Sequence, residues 1–157
     1  MGPGPKFTEK DISSEIIRNV RSLAVGDHLA INASYFGFKH FHHGILTSTD
    51  PLTVVDFGGE SMSNVRVRAM DLLTFMNHQT SLFRVNHTKR LSGEETAQKA
   101  TELVHSDTFG KYNLLSNNCN HFAIYCVTGK RYSEQVSRLV DSSLGKLLQD
   151  FCRPVIS

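Results

Sequence analysis

Two short stretches gather most of the residues able to do chemistry. One is His40-Phe41-His42-His43-Gly44-Ile45, which reads as the start of a strand. The other is Asn117-Asn118-Cys119-Asn120-His121-Phe122, which reads as the start of a helix. A thiol at a helix N-terminus faces the positive end of the helix dipole, which favours thiolate. An imidazole from a distant strand can take the thiol proton and return it to a leaving group. The pattern therefore permits nucleophilic catalysis by Cys119, although a lone cysteine is also a common small core residue. His42 and His43 alternate on a strand, so only one of them can meet Cys119. His40 shares a face with His42 and reads as a solvated or supporting residue. His121 lies about 200° around the helix from Cys119 and reads as structural. A zinc site from His40, His42 and Cys119 lacks metal-ligand spacing, so no metal is expected. No phosphate-binding glycine loop, Gly-x-Ser-x-Gly or spaced carboxylate pair occurs. His78, His87 and His105 read as surface histidines, and Cys126 and Cys152 as structural thiols.

These residues must be positioned by one domain of ordinary size. The chain has 157 residues, 39% of them hydrophobic and 20% charged, with a formal net charge of +2. That is enough apolar material for one core, and the charge announces no nucleic-acid binder. A weak basic row, Arg66, Arg68, Arg84, Lys89 and Arg90, reads mainly as a solvated face. The three cysteines are an odd number in a chain without a secretory h-region, so disulfide scaffolding is not expected and a cytoplasmic setting is. The longest apolar run is residues 122–127, far short of the roughly 20 residues of a spanning helix.

Residues 8–24 predict an amphipathic helix, from Ile12, Ile16, Val20 and Leu23. From 28 to 87 short β-branched runs separated by Asp50-Pro51 and Gly58-Gly59 predict a sheet. Ser92 and Glu95 form a capping box opening a helix to about His105. A second helix is expected over about 119–128, stopped by Gly129, and a last amphipathic helix over 133–151. The fold class is α+β: an antiparallel sheet with helices packed on one side. Residues 1–6 are expected to be a disordered tail, and 7–157 a single domain.

The stretch 111–129 resembles the NC box of the lecithin retinol acyltransferase family. That family includes HRAS-like suppressor phospholipase/acyltransferases and picornavirus 2A proteins of the H-box/NC type. Gly26-Asp27-His28-Leu29 with His42-His43-Gly44-Ile45 resembles its H-box. The resemblance implies a permuted papain-like (NlpC-type) thiol fold, with Cys119 as nucleophile and His42 as base. His42 is preferred to His43 because the family pattern reads His, any residue, Gly or Ala, Ile. Where the family carries a second histidine on the next strand, this chain has Asp56. A carboxylate there can orient His42 as in other triads; the alternative is a turn or edge carboxylate.

The resemblance thus implies a thiol-dependent acyltransferase or phospholipase working through a Cys119 acyl-enzyme on a phospholipid or other acyl ester, without a cofactor. Backbone N–H groups at the start of the 119–128 helix are expected to hold the oxyanion. The alternative is a non-catalytic viral 2A protein, an interaction or RNA-associated module in genome replication, with RNA or a host protein as partner.

Overall fold

The computed structural model describes residues 3–5, 11–35, 38–113 and 117–131. The expected helix over 133–151, and Cys152, lie outside them. Six strands form one antiparallel sheet: β1 (Ile12–Ile16), β2 (His28–Tyr35), β3 (Phe38–Thr49), β4 (Leu52–Gly58), β5 (Arg66–Asp71) and β6 (Leu82–His87). Their order in the sheet is β1-β6-β2-β3-β4-β5. Three helices accompany them: α1 (Leu72–Met76), α2 (Gly93–Ser106) and α3 (Cys119–Thr128). The α+β architecture and the β-rich stretch from 28 to 87 are as expected.

The helix expected over 8–24 is not one: its described part holds β1 and a 3-10 turn at Val20–Ser22. Apolar residues spaced by four satisfy a helix and a strand alike, because four is also a multiple of the strand period of two. Pairing decides the matter. Ile12 to Ile16 lie opposite His87 to Phe83 of β6, with alternating burial. Residues 3–5 also lie against this edge, where the Ser14 hydroxyl donates to the Pro5 carbonyl at 2.7 Å.

The register fixes which side chains share a face. Gly44, Ile45 and Leu46 of β3 lie opposite Asp56, Val55 and Val54 of β4. Ile45, Val55, Phe57 and Val67 therefore project to one side, and there they form a core with Ala100 and Leu103 of α2 and Phe122, Ala123, Cys126 and Val127 of α3. Both long helices thus lie on this side. Leu29, Ile31, Leu46 and Val54 project to the other side and pack with Leu72 and Phe75 of the short α1. Gly44 permits that second layer: a Cβ there would stand 2.6 Å from Val54 Cγ1 and 2.7 Å from Phe75 Cε1.

The helix starts follow the sequence signals. Ser92 caps α2, its hydroxyl accepting from the Glu95 N–H at 3.1 Å. α3 ends as expected at Gly129, whose φ of 75° is left-handed.

Candidate active site

Cys119 is the first residue of α3 and is fully buried. Asn118 caps the helix by accepting from the N–H groups of Asn120 and His121, at 3.0 and 3.1 Å. In return His121 Nδ1 accepts the Asn118 N–H at 3.1 Å. The structural role expected for His121 is therefore visible: it closes a capping box. Burial, followed by the charge of Arg131, lowers its pKa to about 4. One expectation changes here. The Asn120 and His121 N–H groups are taken by Asn118, so the oxyanion site cannot be built from these two donors.

The loop before α3 is fastened to it. Asn113 and Asn117 form a bridge, and Asn117 Nδ2 donates to the Lys111 carbonyl at 2.9 Å. Arg131 donates to Asn117 Oδ1 and to the Phe109 carbonyl, both at 3.0 Å, with its guanidinium 3.9 Å from the Phe109 ring centre. Tyr112 packs on Phe57 with ring centres 5.1 Å apart. The Cys119 backbone N–H faces the buried Tyr112 hydroxyl, though without hydrogen-bond geometry. Burial pushes that hydroxyl's pKa far up. The Asn120 side-chain oxygen is likewise buried without a hydrogen-bond partner. Two unsatisfied polar groups beside one cysteine are unusual in a folded protein.

Cys119 is disulfide-bonded in this structure, whereas Cys126 is a free buried thiol. The expectation of unpaired cysteines fails at Cys119, and any nucleophilic chemistry belongs to its reduced form. Burial raises the Cys126 pKa far above the thiol range, consistent with an inert core residue.

His42 and Asp56 do meet. His42 Nε2 lies 2.6 Å from Asp56 Oδ2, and both side chains are buried. Arg68 of β5 completes the group: its Nε donates to Asp56 Oδ1 at 2.8 Å and its Nη2 to Oδ2 at 3.3 Å. Asp56 is thus neither a turn nor an exposed edge carboxylate. Burial alone would raise its pKa. The His42 hydrogen bond and charge, with those of Arg68, outweigh that and hold it below the usual carboxylate value. His42 also lies against Phe75, ring centres 5.5 Å apart.

Alternation places this group on the sheet face that carries α1. α3 packs on the opposite face, through Ile45, Val55 and Phe57. The imidazole on α3's side is His43, which projects with Ile45. It is buried, and its Nδ1 lies 2.8 Å from His28 Nε2. His28 Nδ1 in turn lies 2.9 Å from His87 Nε2. His87 was expected at the surface and instead ends this buried chain; His40, expected to be solvated, is buried too. His78 and His105 are exposed as expected. Sequence reasoning missed the chain because 15 and 59 residues separate its members. Only the strand register could have found it.

A family model, lecithin retinol acyltransferase, matches residues 21–132. The chain belongs to that family. The matched span contains β2 to β6, with His42 and Asp56, and the whole of α3. No individual curated protein matches the chain.

Among the described residues no group of three or more His, Cys, Asp or Glu could hold a metal ion. No described helix is long and apolar enough to cross a membrane. The basic row is partly consumed within the chain. Arg68 binds Asp56, Arg84 binds Glu15 and Asp27 at 2.9 Å each, and Arg90 donates to the Gly26 carbonyl at 2.8 Å.

Proposed function

We propose that this member of the lecithin retinol acyltransferase family is a thiol-dependent acyltransferase or acyl-ester hydrolase. Reduced Cys119 is its nucleophile, and a phospholipid is the substrate class that the family favours. The thiolate attacks the ester carbonyl, the alcohol leaves, and the acyl group stays on sulfur until water, an amine or a hydroxyl takes it. The family pattern gives the base to His42, with Asp56 fixing its tautomer through the far nitrogen. The observation that carries this reading is Cys119 at the first position of a capped helix, within the matched span. The unsatisfied Tyr112 and Asn120 groups beside it supply polar atoms for an ester to meet.

A second reading, a non-catalytic interaction module, draws on a different observation. His42, Asp56 and Arg68 form an ion cluster on the face away from α3. A cluster of that kind serves folding as readily as catalysis.

Acyl-enzyme trapping separates the two. Reduced protein is mixed with a short-chain fluorogenic phospholipid, quenched in acid and weighed intact. The enzyme reading expects a single acyl adduct and slow turnover, both lost in Cys119→Ala. Neither adduct nor turnover, with the fold intact, selects the second reading.

A further inference from the structure

Asp56 meets His42 and Arg68 at once, and the three side chains come from the neighbouring strands β4, β3 and β5. The Asp56 side chain is 1% exposed and that of Arg68 22% exposed, so the cation enters a buried site from its rim. Left alone, a buried carboxylate favours its protonated form. As an acid, Asp56 could donate its O–H to His42 Nε2, and the neutral ring would then carry its proton on Nδ1. Two N–H donors of Arg68 oppose this, Nε at 2.8 Å from Oδ1 and Nη2 at 3.3 Å from Oδ2. An ionised carboxylate only accepts. His42 Nε2, 2.6 Å from Oδ2, must then be the donor, and Nδ1 is the basic nitrogen of the neutral ring.

Arg68 has a second effect. A proton taken up by His42 makes an imidazolium beside Asp56. Facing the carboxylate alone, that cation would be held tightly and would return its proton reluctantly. The guanidinium sets an opposing unit charge on the same carboxylate. Both groups crowd one point of β4: a Cβ at Gly58 would stand 3.2 Å from His42 Cε1 and 3.4 Å from Arg68 Nη2. A unit charge about 8 Å away, at an effective dielectric of about 20, moves a titration by more than about one pH unit. We propose that Arg68 is a positioning residue: it keeps Asp56 an acceptor, so that His42 presents Nδ1 as its base, and it offsets the carboxylate charge, so that the imidazolium gives its proton up.

This rests on the thiol reading above, with His42 as its base. The Cys119 S–H proton passes to His42 Nδ1, and sulfur bonds to the acyl carbon. The ester C–O bond breaks, and the leaving oxygen takes the proton from His42. Arg68 forms and breaks no bond in these steps and acts through Asp56. Asp56 from β4, Arg68 from β5 and His43 from its own strand bear on the His42 charge. α1 brings the uncharged Phe75, and β2 places Ile31 opposite His42.

The test is the titration of His42 in the reduced protein and in Arg68→Gln, read from imidazole ¹⁵N and ¹H shifts. The pH profile of kcat/KM on a short-chain phospholipid is measured beside it. Arg68→Gln is expected to raise the His42 midpoint, and with it the acid limb of the profile, by about one pH unit or more. Arg68→Lys restores the charge and is expected to bring both back towards their starting values. A merely structural Arg68 predicts a less stable Arg68→Gln protein with the His42 midpoint unmoved. That result, or a fall in the midpoint, overturns the assignment. The tautomer needs no variant to fold: the unaltered protein is expected to show Nε2–H at His42 at neutral pH, and Nδ1–H overturns the assignment. Turnover that survives Cys119→Ala defeats the thiol reading, whereas the His42 midpoint still reports on Arg68.

Discussion

Two imidazole systems lie back to back across β3. On the α1 face His42 shares Asp56 with Arg68, so a buried carboxylate is held by a cation and by a hydrogen-bonded ring. On the α3 face His43, His28 and His87 bond only to one another in the contacts above, and burial holds all three below the usual histidine pKa. One system is stable because it is charged and paired. The other is stable because it stays neutral. Adjacent residues in sequence, His42 and His43, belong to opposite regimes because the strand period separates their faces. The difference teaches that a histidine's role here follows from its partner across the sheet, and not from its place in the motif.

The largest effect that can break this comparison is on the charged face. Asp56→Ala leaves Arg68 and His42 in a buried site without the carboxylate that pairs them. Removing one partner of a buried ion pair costs about 3–5 kcal/mol. Denaturant unfolding at neutral pH is expected to show a loss in that range. A loss below about 1 kcal/mol would mean the cluster is solvated or replaceable, and the charged regime would have no content.

The neutral face offers the counterpart. His28→Leu removes the middle ring and deprives one nitrogen each on His43 and His87 of its bond. An unsatisfied buried polar group costs about 1–3 kcal/mol, less than an orphaned charge. The expected ranking is therefore Asp56→Ala well above His28→Leu in the same denaturant series. Equal losses would erase the distinction between the two faces.

How far this was legible in the sequence depends on the range of each interaction. The capped helices, the turn glycine at Gly129 and the β-rich middle were readable because their signals are local. The His42–Asp56 contact was readable because the two strands are consecutive and joined by a short turn. The first strand was misread because Ile12 and Ile16 fit both periods, and only β6 resolves them. The histidine chain was not readable at all, since β2, β3 and β6 meet through a sheet order that no local pattern encodes. His87 looked like a surface residue beside Thr88-Lys89-Arg90, and its burial comes from His28 across the sheet. The side of the sheet that α3 covers was hidden in the same way. It is set by the packing of Phe57, Phe109 and Phe122.

The smallest expected effect is a slope with pH, and it sharpens the comparison by assigning a pH window to each face. Burial first, then neighbouring charges, lowers His43 to about 3 and His87 to about 4, and holds His28 well below the ordinary value. In the unfolded chain a histidine titrates near roughly 6.5. Below that pH the unfolded chain binds protons that the folded chain refuses, so stability is full above about 6.5 and falls with acidification. Each imidazole kept neutral contributes a slope of at most about 1.4 kcal/mol per pH unit. Asp56 acts elsewhere. Its lowered pKa gives stability that is present above roughly 3.9, the unfolded aspartate value, and lost only at lower pH. Between pH 6.5 and 4.5 the loss therefore belongs to the neutral histidines, with His121 adding to it. Thermal or denaturant unfolding at half-unit steps over that window is expected to show a steady decline, flatter in His28→Leu by about 1.4 kcal/mol per pH unit. An unchanged slope in His28→Leu would show that the buried chain takes up protons in the folded state, and that its neutrality is not what stabilises that face.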